Sequence, residues 1–102
     1  ADFGGDGGID IYGVEANKDG YRNWAVQCKC WTKNVGTEVI YKLIGSLSRY
    51  PNDTRGMVVT TSSFSSNAIK LSRENNFILI DGKKFLEIQD LSNRQLKQSI
   101  LD

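Results

Sequence analysis

The sequence predicts an α/β domain: a mixed β-sheet with a β-hairpin at one side and helices on its faces. Three patterns point to it. Two strand-like segments, residues 9–14 and 24–31, flank a polar stretch carrying Asp19-Gly20, the signature of an antiparallel hairpin. An apolar stripe at 3.6-residue spacing runs through residues 37–50, as in an amphipathic helix. Downstream, an apolar run, a helical segment and a second apolar run follow in the order of a right-handed crossover between parallel strands.

Taken in order, residues 1–8 read Ala-Asp-Phe-Gly-Gly-Asp-Gly-Gly, too glycine-rich for a regular element. Ile9 to Val14 then forms a short strand, and Glu15 to Asn23 a longer loop. Trp24 to Trp31 is the second strand. Alternation puts Trp24, Val26, Cys28 and Cys30 on one face and Ala25, Gln27, Lys29 and Trp31 on the other. The first face is apolar and is expected to meet the core, with Trp24 inside it. In the first helix, Val39, Ile40, Leu43, Ile44 and Leu47 make the stripe, Thr37 is the expected N-cap and Pro51 marks the end. Gly45 lies inside this helix at a cost of about 1 kcal/mol, which a closely packed neighbour would explain. Gly56 to Thr61 is a continuous apolar run, as in a strand buried on both faces. A Ser-rich turn leads to a helix over Ser66 to Asn75, and Phe77 to Ile80 is the next strand. Asp81-Gly82 is a turn. Lys83 to Ile88 fits either a strand or the start of a helix, and Ser92 to Leu101 a final helix.

Composition narrows the function. The chain has 102 residues, 39% hydrophobic and 25% charged, which suits one globular domain and excludes a disordered tail. No apolar run approaches the roughly 20 residues of a bilayer span, so no membrane is expected. The net charge of +1 does not by itself select a nucleic-acid partner, so a DNA surface would have to arise from segregated charge. The sequence holds no histidine, which excludes Ser-His-Asp and Cys-His catalysis and His-ligated zinc. Its two cysteines, Cys28 and Cys30, cannot fill a structural zinc site, and a bridge across one residue of an extended strand is strained. Two buried, reduced thiols in a sheet are expected, which favours an intracellular, reducing compartment.

The remaining chemistry rests on Asp10, Gln27 and Lys29. If the two hairpin strands pair, these three groups can converge. A carboxylate and an amide oxygen can hold a hard cation such as Mg²⁺. The cation would polarise a phosphate and acidify its water, which a lysine could orient. From spacing alone this constellation is weak, since a Gln and a Lys two residues apart on a strand usually mean a solvated face.

Four blocks carry a resemblance. Gly4-Gly5-Asp6-Gly7-Gly8-Ile9-Asp10 is followed by Trp24-Ala25-Val26-Gln27-Cys28-Lys29-Cys30-Trp31. Then come Val58-Val59-Thr60-Thr61-Ser62-Ser63-Phe64-Ser65-Ser66-Asn67-Ala68 and Ile78-Leu79-Ile80-Asp81-Gly82. In this order, over roughly residues 4 to 88, they resemble the Mrr-like restriction endonucleases, a branch of the PD-(D/E)xK nucleases with a Q-x-K variant. The resemblance implies a restriction-endonuclease-like sheet and a metal-dependent DNA endonuclease, of restriction type and open to modified DNA as substrate. Mg²⁺ is the implied cofactor, with Mn²⁺ as the alternative.

By position, Asp10 resembles the metal-binding Asp and Lys29 the catalytic Lys. Gln27 stands where an acid is usual, and the Cys28 carbonyl would also face the metal. Gln27 keeps an oxygen ligand but removes a charge, so metal affinity should fall unless another carboxylate such as Asp6 helps. The family usually has a helix with a further acid before the Gly-rich segment. This sequence begins at that segment, so a single catalytic domain lacking that helix is expected. Lys33, directly after the catalytic strand, is the expected phosphate contact. Ser62 and Ser63, with the following helix N-terminus, could hold another phosphate or simply cap the helix. Two other readings stay open: a non-catalytic DNA-binding or scaffold module, and a junction-resolvase-like nuclease, which would be a homodimer. Other domains of a longer protein are also open.

Overall fold

The first two strands meet over two residues. The computed structural model, which describes residues 11–101, places β1 at Ile11–Asn17 and β2 at Gly20–Lys29. They pair antiparallel, from Ile11 opposite Val26 to Asn17 opposite Gly20. Gly20 takes φ +127°, a value that suits glycine. Asn17 Oδ1 accepts the Asp19 amide at 2.9 Å, closing the turn with a side chain. The longer loop expected over 15–23 is therefore strand except for the turn at residues 18–19. Its polar side chains misled the reading because this end of the hairpin is exposed, where pairing requires no apolar residues. Asp6, Asp10 and the Gly-rich segment lie outside the described residues.

Beyond the hairpin come α1 (Thr37–Leu47), β3 (Arg55–Thr60), α2 (Ser66–Glu74), β4 (Ile78–Ile80) and α3 (Gly82–Leu101). The four strands lie in chain order, β1-β2-β3-β4. The β2–β3 and β3–β4 pairs are parallel, as the crossover pattern predicts. Both crossovers step in the same direction across the sheet. Right-handed connections stepping the same way leave their helices on the same face. The core accordingly forms on one side, from Val35, Val39, Ile40, Leu43, Val58 and Ala68, with Phe64, Leu71, Phe77 and Leu79 packed against it.

This one-sided arrangement inverts the expected burial of β2. Ala25, Gln27 and Lys29 are buried, whereas Trp24, Val26 and Cys28 are half-buried and Cys30 is exposed. The polar face, not the apolar one, lies in the layer beneath the helices. Trp24 belongs to the outer face: its indole N–H donates to Glu15 at 3.0 Å, and Arg55 lies over its ring at 5.4 Å. The cysteines are not joined in a disulfide, as expected, but they are not buried. In β3 likewise only Gly56, Val58 and Thr60 are buried, so the continuous apolar run is covered on one face rather than two.

The helices differ from expectation in detail. Gly36, not Thr37, caps α1, and it makes no side-chain cap. Nothing beyond its own helix backbone and chain neighbours lies within 4 Å of where a Gly45 Cβ would be, so close packing does not explain that glycine. Ser65 caps α2 by accepting the Ala68 amide at 3.1 Å. The ambiguous segment after Gly82 is helix, joined to the expected final helix in a single α3. Asp81 starts it, its carboxylate accepting the Lys84 amide at 2.8 Å. A Cβ on Gly82 would lie 2.3 Å from the Thr61 carbonyl oxygen, so this position requires glycine.

Candidate active site

β2 and β3 run side by side in register, which sets the geometry of the site. Gln27 lies opposite Val58 and Lys29 opposite Thr60, at the C-terminal ends of the parallel strands. This is where open α/β sheets place their ligands. Gln27 is 1% exposed and Lys29 6%. Both are therefore held in the wall between sheet and helices, far from the solvated surface on which such residues usually lie.

Gln27 has an unusual environment. Its Oε1 and Nε2 are both buried, and neither has a hydrogen-bond partner among the described residues. A buried polar group left in this way costs about 1–3 kcal/mol. Folding alone gives no reason to keep an amide here, since an apolar side chain of similar size would fill the space at less cost. An amide oxygen in this position suits a divalent cation, a hard Lewis acid that takes oxygen ligands. β1 brings Ile11 opposite Val26, the neighbour of Gln27. Among the described residues there is no cluster of three or more carboxylates and thiols able to hold a metal without other help.

Lys29 is fixed at both ends. Its carbonyl accepts the Thr60 hydroxyl at 2.7 Å and the Thr61 amide at 3.4 Å. Its ammonium lies 5.4 Å from the centre of the Trp31 ring. Lys33 comes to the same ring at 5.1 Å, so the expected phosphate contact is tied to the strand residue through one indole. The segment carrying them is laced to the loop after β3. Thr61 Oγ1 donates to the Trp31 carbonyl at 3.1 Å and Ser62 Oγ to the Lys33 carbonyl at 2.7 Å. The Ser63 hydroxyl donates to Asn34 Oδ1. Two backbone bonds, Val35 N–H to Ser63 and Ser65 N–H to Val35, complete the brace.

Gln27, Lys29, Trp31 and Lys33 thus form one group, and Ser62 and Ser63 lie next to it as parts of the brace. The hydroxyls of both serines are engaged within the protein. Two contributors escaped the sequence reading: Thr60, whose hydroxyl meets the Lys29 carbonyl, and the double lysine contact of Trp31. The face-sharing of Lys29 and Trp31 was a usable signal for the second; the first depends on strand register. The Cys28 side chain points away from this group. With Cys30, Val59 and Phe85 it walls an apolar cavity of about 200 Å³, whose lining also includes Lys29, Thr60 and Thr61. A larger, open cavity of about 530 Å³, lined by Arg22, Asn52, Arg55 and Asn76, lies at the opposite pole, by the N-terminal ends of the parallel strands. It contains none of the residues above.

Known proteins resemble this chain in sequence and in fold. A restriction endonuclease family of the Mrr type matches residues 1–89. An uncharacterized mitochondrial protein of Schizosaccharomyces pombe is 36% identical over 69 residues, covering 65% of this chain and 28% of the yeast protein. The restriction endonuclease MspJI, solved in complex with a 27-mer oligonucleotide, superposes with a TM-score of 0.61 at 27% identity, over 79% of this chain and 19% of its own. The chain therefore spans less than a third of either relative. Among the described residues no helix is long and apolar enough to cross a membrane. The sheet order, the strand bearing Gln27 and Lys29 and the extent of the family match agree, and the chain belongs to the Mrr-type restriction endonuclease family.

Proposed function

We propose that this domain hydrolyses phosphodiester bonds of DNA in a reaction that requires a divalent cation, as a PD-(D/E)xK nuclease of the Q-x-K variant. The observation that carries this reading is the buried, unpartnered amide of Gln27 beside the buried Lys29, on the strand that the family match covers. Asp10, Gln27 and the carbonyl of Cys28 would hold the cation, Mg²⁺ or Mn²⁺. Asp10 directly precedes Ile11, whose partner Val26 adjoins Gln27. When bound, the cation supplies Lewis-acid polarisation of the scissile phosphate. Lys29 would orient the attacking water by hydrogen bonding and offset negative charge as it builds on the phosphate oxygens.

DNA is the proposed substrate, since the structural neighbour was solved with an oligonucleotide. Lys33 is exposed at the edge of the site and would contact a backbone phosphate. Ser62 and Ser63 are secondary candidates, because a phosphate would compete with the brace for their hydroxyls. Restriction of modified DNA is part of the same proposal. So is a single catalytic domain working beside other domains of a longer protein. The unbridged thiols of Cys28 and Cys30 support a reducing compartment.

The test is plasmid cleavage in Mg²⁺, in Mn²⁺ and in EDTA, by wild type, Lys29→Ala and Asp10→Ala, each checked for native circular dichroism. Metal-dependent nicking lost in both folded variants is expected. Nicking that survives in either variant would sink the site assignment. A second reading, a non-catalytic DNA-binding module, draws on the neutral Gln27 in place of an acid. It requires instead DNA binding that is indifferent to Mg²⁺ and to Asp10→Ala.

A further inference from the structure

A lysine ammonium is a compact charge on a flexible four-carbon stem, and burial removes the water that would stabilise it. Lys29 is 6% exposed, and the face of Trp31 lies 5.4 Å from its ammonium. An indole face is the aromatic surface that best attracts a cation. The ring is held as well as present. Trp31 packs against the core cluster of Val35, Val39, Ile40, Leu43, Val58 and Ala68, and the Thr61 hydroxyl donates to its backbone carbonyl. Lys33 reaches the same ring at 5.1 Å, so the two ammonium groups can be no farther apart than those two distances together. Two like charges this close repel. Their common contact with one π-system offsets part of that repulsion and keeps both near the end of β2.

We propose that Trp31 is a positioning residue: its indole holds Lys29 and Lys33 as a paired cation clamp for a single DNA phosphodiester. The inference rests on the nuclease reading above and adds to it the residue that sets the clamp. Trp31 itself makes no contact with the reacting atoms. Because the contact is electrostatic, its strength follows the negative potential of the ring face, which fluorination drains at almost constant shape. A purely structural Trp31 would not respond to fluorination in that graded way.

The experiment uses the full chain. The sequence has two tryptophans, so a Trp24→Phe protein carries Trp31 as its only indole. It is prepared with ordinary, monofluoro-, difluoro- and tetrafluorotryptophan, and Trp31→Phe and Trp31→Leu accompany it. Two quantities are read: the NMR positions of the Lys29 and Lys33 ε-methylene protons, and the turnover of plasmid nicking in Mg²⁺. The expected result is ring-shifted ε-methylene signals for both lysines, lost in Trp31→Leu. Turnover should fall stepwise with fluorination, by about tenfold at the end of the series. Trp31→Phe should lie between wild type and Trp31→Leu. Unshifted lysine signals, or turnover that is flat across the fluorinated series, would overturn the proposal. The fluorinated series keeps that test available if Trp31→Leu fails to fold. A protein with both lysines ring-shifted but no nicking would overturn the nuclease reading, and positioning for cleavage with it, while the ring contact itself stands.

Discussion

Gln27 costs the fold stability. Both of its side-chain polar atoms are buried without partners among the described residues, so an apolar replacement should relieve a penalty rather than open a cavity. Gln27→Leu is expected to raise the unfolding free energy in metal-free buffer by about 1–3 kcal/mol, measured by urea denaturation. The same variant should lose metal-dependent nicking. A Gln27→Leu protein less stable than wild type would show that the amide is satisfied and would remove the main support for a ligand there. Function often retains such local expense, and stability gained at its loss is the expected signature. Lys33 makes a separate prediction. If it contacts phosphate, Lys33→Ala should weaken DNA binding on all sequences alike and reduce the slope of log K against log salt by about 1, as read from fluorescence anisotropy at several salt concentrations. An unchanged slope would remove Lys33 from the interface.

Within the elements, glycines separate two kinds of constraint. Gly45 lies on the exposed side of α1 with open space where a Cβ would go. Gly45→Ala should therefore stabilise the domain by about 0.5–1 kcal/mol, through helix propensity and a less flexible unfolded chain. Gly56 in β3 is the opposite case. A Cβ there would come within 2.9 Å of the Phe77 ring and 3.0 Å of Leu43. Gly56→Ala should cost about 1–3 kcal/mol, because it forces apart the packing between α1 and the segment before β4. Thermal melts of the two variants should move in opposite directions, and a shift of both in one direction would contradict the packing described. The thiols offer a third check at this scale. Cys30 is exposed and Cys28 half-buried, so a thiol reagent should label one cysteine quickly and the second slowly.

Across the whole molecule, the sheet is covered unevenly. α1 and α2 enclose one face, and the buried polar strand residues lie beneath them. On the other side, among the described residues, only the beginning of α3 approaches the sheet, with Phe85 beside Cys28 and Cys30. The rest of α3 is bare: every described side chain from Lys83 to Gln98 is exposed, Leu86, Leu91 and Leu96 among them. The site is thus built on the well-packed half of the domain. That suits a constellation whose members must be held in place by their neighbours. The short strand β4 lies farther from Gln27, with β3 between it and β2.

Much of this fold was legible along the chain because its signals are local. The hairpin turn, the α1 stripe, the Ser-rich turn before α2 and the strand-helix-strand order each depend on residues close in sequence, and each is present in the structure. The ordered blocks around Gln27 and Lys29 likewise identified the family that the comparison with known proteins found. The face of β2 that meets the core was not legible. Alternation divides a strand into two faces but does not say which one the helices will cover. Apolar content pointed to Trp24, Val26 and Cys28, whereas two same-handed crossovers placed α1 and α2 over Gln27 and Lys29. The brace from Thr60, Thr61, Ser62 and Ser63 was hidden for the same reason, since its bonds join positions about 30 residues apart. Local sequence determines which elements form and which residues share a face. The topology of the crossovers decides which face is buried, because that depends on how distant segments pass one another in space.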